Sequence, residues 1–76
     1  MAPVYTVVTL GCPAPNRDVP PLRWTRSLDR AKRRADACKG TGTCMEARVL
    51  EVPSPGAART ADISRLRDGE RTVYLA

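Results

Sequence analysis

Guanidinium groups recur at Arg23, Arg26, Arg30, Arg33 and Arg34, with the chain's one indole, Trp24, between the first two. Five permanent cations with forked donors suit carboxylates and phosphates. Trp24 could stack on a nucleobase or anchor a protein interface. In a chain this poor in large apolar residues, however, burial at the entrance of a helix is the first expectation for it. None of this is acid–base chemistry. There is no histidine, so the commonest general base is missing. No serine, threonine or cysteine has an evident activating partner, and no Asp/Glu pair is placed for proton transfer. The pattern points to binding rather than catalysis, and nothing in it requires a cofactor.

Cys12, Cys38 and Cys44 leave three readings open. A loop of K-G-T-G-T between Cys38 and Cys44 is flexible enough to close a disulfide. Three cysteines without histidine are one ligand short of a usual structural zinc site, although Asp18 or Asp36 could complete it. Thiols are the default reading in a cytosolic setting. The glycines of Lys39–Thr43 look like a phosphate cradle, but such a loop precedes a helix and directs its N-terminal amides at the anion. Here it follows one, so a C-cap and turn are expected.

The element that must position the arginines is a helix near Leu28–Cys38. Ser27 is a suitable N-cap. Asp29 lies near the positive end of the helix dipole, and Arg33, Arg34 and Lys39 lie toward the negative end. Gly40 follows, where a left-handed cap would end it. Leu28, Ala31, Ala35 and Cys38 form one narrow stripe of mostly small residues. Arg30, Arg33 and Arg34 point away from it, and Lys32 and Asp36 lie between the two faces. From Arg17 to Lys39 there are eight Lys/Arg against three Asp, a net of +5, which equals the net charge of the whole chain. From Gly40 onward five Arg face five Asp/Glu, and the first sixteen residues carry no charged side chain.

Around that helix the sequence places strands. Val4–Leu10 is β-branched, with apolar residues on both faces, as in a central or well-covered strand. Gly11–Pro21 is proline-rich loop. Leu22–Thr25 reads as a short strand, with Leu22 and Trp24 on one face. Met45–Val52 is the second clear strand, with Met45, Ala47 and Val49 on one face and Leu50 and Val52 on the other. Pro53–Ala58 reads as loop. Asp62–Asp68 reads as one helical turn or, alternatively, as the approach to a tight hairpin through Asp68–Gly69. Arg71–Leu75 is the last strand, with Val73 and Leu75 on one face and Tyr74 on the other. The expected fold is α+β: a small, mainly antiparallel sheet of three to four strands with one helix packed on one face, forming a single domain over residues 1–76.

Length and composition limit the core. Seventy-six residues with ten alanines and no phenylalanine allow one modest core. No apolar run approaches the roughly 20 residues that span a bilayer. The N-terminal segment lacks the basic region of a signal peptide, which makes the cytosol the default location. The sequence pI of about 9.7 favours acidic partners, either nucleic acid or acidic protein surfaces.

Taken together, Y-T-V-V-T, a polar loop, S-L-D-R-A-K-R-R-A and A-R-V-L-E-V, over Val4–Val52, resemble small phage and mobile-element proteins of the anti-CRISPR type. These combine a sheet with one S-L-x-x-A-K-R-x-A helix. The resemblance implies inhibition by binding to a host defence complex, in the host cytosol if the chain is phage-encoded. Arg23, Arg26, Arg30, Arg33 and Arg34 would then meet acidic protein or nucleic-acid backbone. Two other readings stand beside it: a weakly sequence-specific nucleic-acid-binding protein, and a small assembly subunit of a larger particle.

Overall fold

The computed structural model describes residues 2–11, 24–40 and 45–76. In chain order its elements are β1 (Val4–Leu10), α1 (Leu28–Gly40), β2 (Glu46–Val52), α2 (Pro55–Arg59) and β3 (Arg71–Leu75). The three strands form one antiparallel sheet in the order β1-β2-β3, and α1 packs on one of its faces. The fold is the α+β arrangement expected from the sequence.

The centre of the sheet is β2, and its side chains alternate between two separate cores. Ala47 and Val49 point toward α1, where they meet Ala31 and Ala35, with Leu28 and Cys38 at the edge of the cluster. All four central residues of this layer are fully buried. The Leu28–Ala31–Ala35–Cys38 stripe is therefore the inner face of the helix, and its alanines let the backbone lie close to the sheet. Leu50 and Val52 point the other way. They pack with Val4, Val8 and Ala58, and Ala57, Ala61 and Ile63 close the cluster.

The second layer corrects one expectation. Pro53–Ala58 is not all loop, because Pro55–Arg59 forms the short helix α2. Ser54 caps it: its Oγ accepts the Ala57 amide at 3.2 Å, and proline sits in the first turn. Proline fits there because its missing N–H would have no helical partner in any case. The cap and the proline were both legible in S-P-G-A-A, but the length of the helix was not.

Other expectations are corrected at their edges. Of the two readings of β1, the well-covered one holds: Val4 and Val8 reach one core and Tyr5 and Val7 the other, while among the described residues the strand lies at the edge of the sheet. Its outer edge is closed at one point, where Tyr5 and Thr25 exchange backbone hydrogen bonds of 2.7 and 2.8 Å. The expected strand at Leu22–Thr25 is thus a single bridge at Thr25 among the described residues; Leu22 and Arg23 lie outside them. Gly40 is the last helical residue and has no left-handed backbone. The residues that continue from it, 41–44, also lie outside. Asp62–Asp68 is neither a helical turn nor the arm of a tight hairpin. Asp62 Oδ1 accepts both the amide and the hydroxyl of Ser64. The amide bond first, and the hydroxyl bond second, hold the Asp62 carboxyl below the usual carboxylate range. A separate turn runs from Arg67 to Glu70, with Gly69 at φ +83°, a backbone that favours a residue without Cβ.

In β3 the pairing shifts by one residue: Val49 lies opposite Tyr74, but Leu50 lies opposite Thr72. Val73 is the extra residue of this bulge. As a result Val73 and Tyr74 both join the α1-side core while Leu75 is exposed. The strict alternation that put Val73 with Leu75 fails for this reason.

The alanine seam gives a direct test. Ala35→Leu should destabilise the fold by about 1–3 kcal/mol, because the seam has no room for added methylenes. Ala37→Leu, at an exposed position of the same helix, should stay within about 0.5 kcal/mol. Urea denaturation of both variants measures this, and equal effects would contradict the placement of the seam.

Candidate binding surface on the outer face of α1

The start of α1 is fixed by two hydroxyls. Ser27 Oγ accepts the Arg30 amide at 3.2 Å, as the N-cap reading requires, and Thr25 Oγ1 accepts the Ser27 amide at 3.1 Å. Thr25 is itself tied to β1, so the first turn of the helix, including Arg30, has a fixed origin on the sheet.

From that origin the helix sorts its charges into two groups. Lys32 and Asp36, one turn apart, both engage Tyr74. The Lys32 ammonium lies 5.4 Å from the centre of the Tyr74 ring, within cation–π range. The Tyr74 hydroxyl donates to Asp36 Oδ1 at 2.7 Å. The hydrogen bond to Asp36, then burial and the Asp36 charge, raise the Tyr74 phenol above its ordinary value. These two side chains, expected between the faces, therefore latch α1 to β3. Nothing in the sequence identified Tyr74 as their partner, because the bulge that turns it toward α1 has no sequence signal.

Arg30 and Arg33 form the second group. Both are exposed, and their side chains make no hydrogen bond or ion pair among the described residues. Arg34, expected beside them, is half-buried and makes an interaction of its own. It lies one turn before Cys38, a half-buried thiol at the edge of the core. Burial raises the Cys38 thiol above its ordinary value, and the Arg34 charge partly offsets that rise. The ridge thus narrows to Arg30 and Arg33. Lys39, at the far end of the helix, donates to the Met45 carbonyl at 2.6 Å.

Trp24 corrects the expectation of burial. It is 38% exposed and belongs to neither core cluster. The Arg26 guanidinium lies over its ring, 5.9 Å from the centroid. Trp24 and Arg26 stand exposed in the segment that leads into α1, and Arg30 and Arg33 stand exposed on its first turns. Arg23, Cys12 and Cys44 lie outside the described residues.

Elsewhere several of the described arginines have local partners. Arg48 pairs with Glu46, Arg71 pairs with Glu51, and Arg67 donates to the Thr60 hydroxyl. Over Trp24–Gly40, six Lys/Arg face two Asp, one of which is the Asp36 already engaged by Tyr74. Among the described residues, no helix is long and apolar enough to cross a membrane. No group of three or more His, Cys, Asp or Glu gathers there as a metal site either. Comparison with protein-family models, with curated proteins and with solved structures gives no match.

Two measurements test this geometry. Ser27→Ala should cost about 1 kcal/mol of stability through the lost cap. The Tyr74–Asp36 bond needs a protonated phenol, and the folded phenol has a raised pKa. Its contribution is therefore complete below the unfolded value of about 10 and is lost as pH rises through the higher folded value. Wild-type stability should fall across that alkaline range more steeply than that of Tyr74→Phe, as read by thermal unfolding at stepped pH. Parallel pH profiles would show that the bond does not form.

Proposed function

We propose that this chain is a non-enzymatic binding protein that engages an anionic surface through the outer face of α1. We further propose that it acts as an inhibitor, in the manner of the anti-CRISPR-type proteins it resembles, by occupying part of a host defence complex. The supporting observation is the division of charge on α1. Lys32 and Asp36 are engaged with Tyr74, while Arg30 and Arg33 are exposed and make no side-chain hydrogen bond or ion pair among the described residues. Leaving two adjacent arginines unpaired brings no stability to the fold, whereas it leaves ten guanidinium N–H donors ready for carboxylate or phosphate. Occupying the place where a defence complex holds nucleic acid would need this kind of surface and no catalytic group.

The test is inhibition of the purified complex by the protein and by Arg30→Glu/Arg33→Glu, alongside capture from nuclease-treated host lysate. The wild-type protein should inhibit and capture the complex. The charge-reversed variant should lose both, and binding should weaken as salt screens the contact over a Debye length of about 10 Å at 0.1 M. Unaltered capture and inhibition by the variant would remove the α1 face from the proposal.

A further inference from the structure

Among the surfaces of the molecule, the outer face of α1 has a feature that discriminates between kinds of anionic partner. Protein interfaces need an apolar centre surrounded by a polar rim. The exposed positions of this helix, Asp29, Arg30, Arg33, Asp36, Ala37, Lys39 and Gly40, supply a rim but no centre. The large apolar group at this end of the helix is Trp24, and it carries a guanidinium over its ring. An exposed indole with one guanidinium over its ring, followed in the chain by two exposed arginines on the first turns of α1, offers what an unpaired nucleobase and its flanking phosphates require. Every base has a π-face for the ring, and every phosphate takes a forked donor. Duplex ends and grooves offer few stackable faces, so the arrangement selects single strands.

We infer that Trp24, Arg26, Arg30 and Arg33 form a contact for single-stranded nucleic acid. One base stacks on Trp24 beside the Arg26 guanidinium, and the adjoining phosphates lie along Arg30 and Arg33. The inference rests on the reading of the outer α1 face as the binding surface and names the ligand of that face. Binding depends little on sequence, since no side chain of the group is placed to read base edges in a groove. It falls steeply with salt, because each neutralised phosphate releases condensed counterions. In the inhibitory role, the ligand would be the single strand held or exposed by the host complex.

Trp24 is the one tryptophan of the chain, so its fluorescence reports on the site directly. The full chain is titrated with an oligothymidylate, with the same length of duplex, and with poly-glutamate, at 50 and 200 mM salt. Labelled-oligonucleotide anisotropy is measured for Trp24→Ala, Trp24→Phe and Arg30→Glu/Arg33→Glu, and far-UV circular dichroism checks that each variant is folded. The expected result is quenching by the single strand, with weaker response to duplex and none to poly-glutamate. Trp24→Ala should weaken binding between about 5- and 150-fold, the range for loss of one stacked base. Trp24→Phe should recover part of that loss, and the arginine reversal should lower the salt dependence. Three results would overturn the inference: equal response to poly-glutamate, equal affinity of Trp24→Ala, or no binding of the oligonucleotide at 50 mM salt. If oligonucleotide binding is absent while capture of the host complex still depends on Arg30 and Arg33, the surface reading stands and its ligand is an acidic protein. If neither depends on those arginines, both readings fail.

Discussion

The whole fold leans on β2, a strand with a core on each side. Ala47 and Val49 serve the layer under α1, while Leu50 and Val52 serve the layer under α2. One seven-residue strand therefore carries both cores of a chain that has few large apolar residues. The two layers differ at their centres. Under α1 the buried centre is Ala31, Ala35, Ala47 and Val49, and larger side chains, Tyr5, Val7, Leu28, Val73 and Tyr74, pack around it. On the other face Val4, Val8, Leu50 and Val52 form the centre with Ala58, and Ala57, Ala61 and Ile63 close it. Alanine at the centre of the α1 layer lets a long helix approach the sheet closely. Deleting methylenes from such a strand opens a cavity on one side without relief from the other, because the interior is packed at crystal-like density.

That close approach also governs the surface. A helix seated on alanines buries a thin stripe, so its remaining circumference is left to polar side chains. Tyr74 takes two of these, Lys32 and Asp36, and converts them from surface charges into a latch between the last strand and the helix. Arg34 sits half-buried near Cys38. What is left at the N-terminal half, Arg30 and Arg33, makes no ion pair among the described residues. Trp24 and Arg26 stand exposed in the segment that leads into the helix. The basic face is thus a by-product of core geometry as much as of composition.

Much of this was legible in the sequence where local chemistry and long-range packing agree. The stripe Leu28, Ala31, Ala35 and Cys38, the Ser27 cap and the two faces of β2 follow from period and residue type. The sequence failed where the deciding factor is non-local. Tyr74 turns toward α1 because of an extra residue in β3, and a bulge does not show in a pattern read with period two. The α2 helix is too short for periodicity to register, although Ser54 and Pro55 marked its start. Gly40 and Gly69 make a related point. Gly40 was read as a left-handed stop and Asp68–Gly69 as a tight turn, but only Gly69 occupies the left-handed region; Gly40 is itself helical.

The bridge between Tyr5 and Thr25 also bears on how the chain reaches this fold. Pairing β1 with β2 brings Val4 to Val52, the kind of non-local contact that slows folding. Joining Tyr5 to Thr25 closes a far shorter loop, and closure entropy rises with the logarithm of loop length, by about 0.6 kcal/mol per doubling. That nearer contact also holds the origin of α1: Thr25 is bonded to β1 through its backbone, and its hydroxyl accepts the Ser27 amide at the start of the helix. The helix is thus moored to the sheet through the pairing that demands the smaller loss of chain freedom.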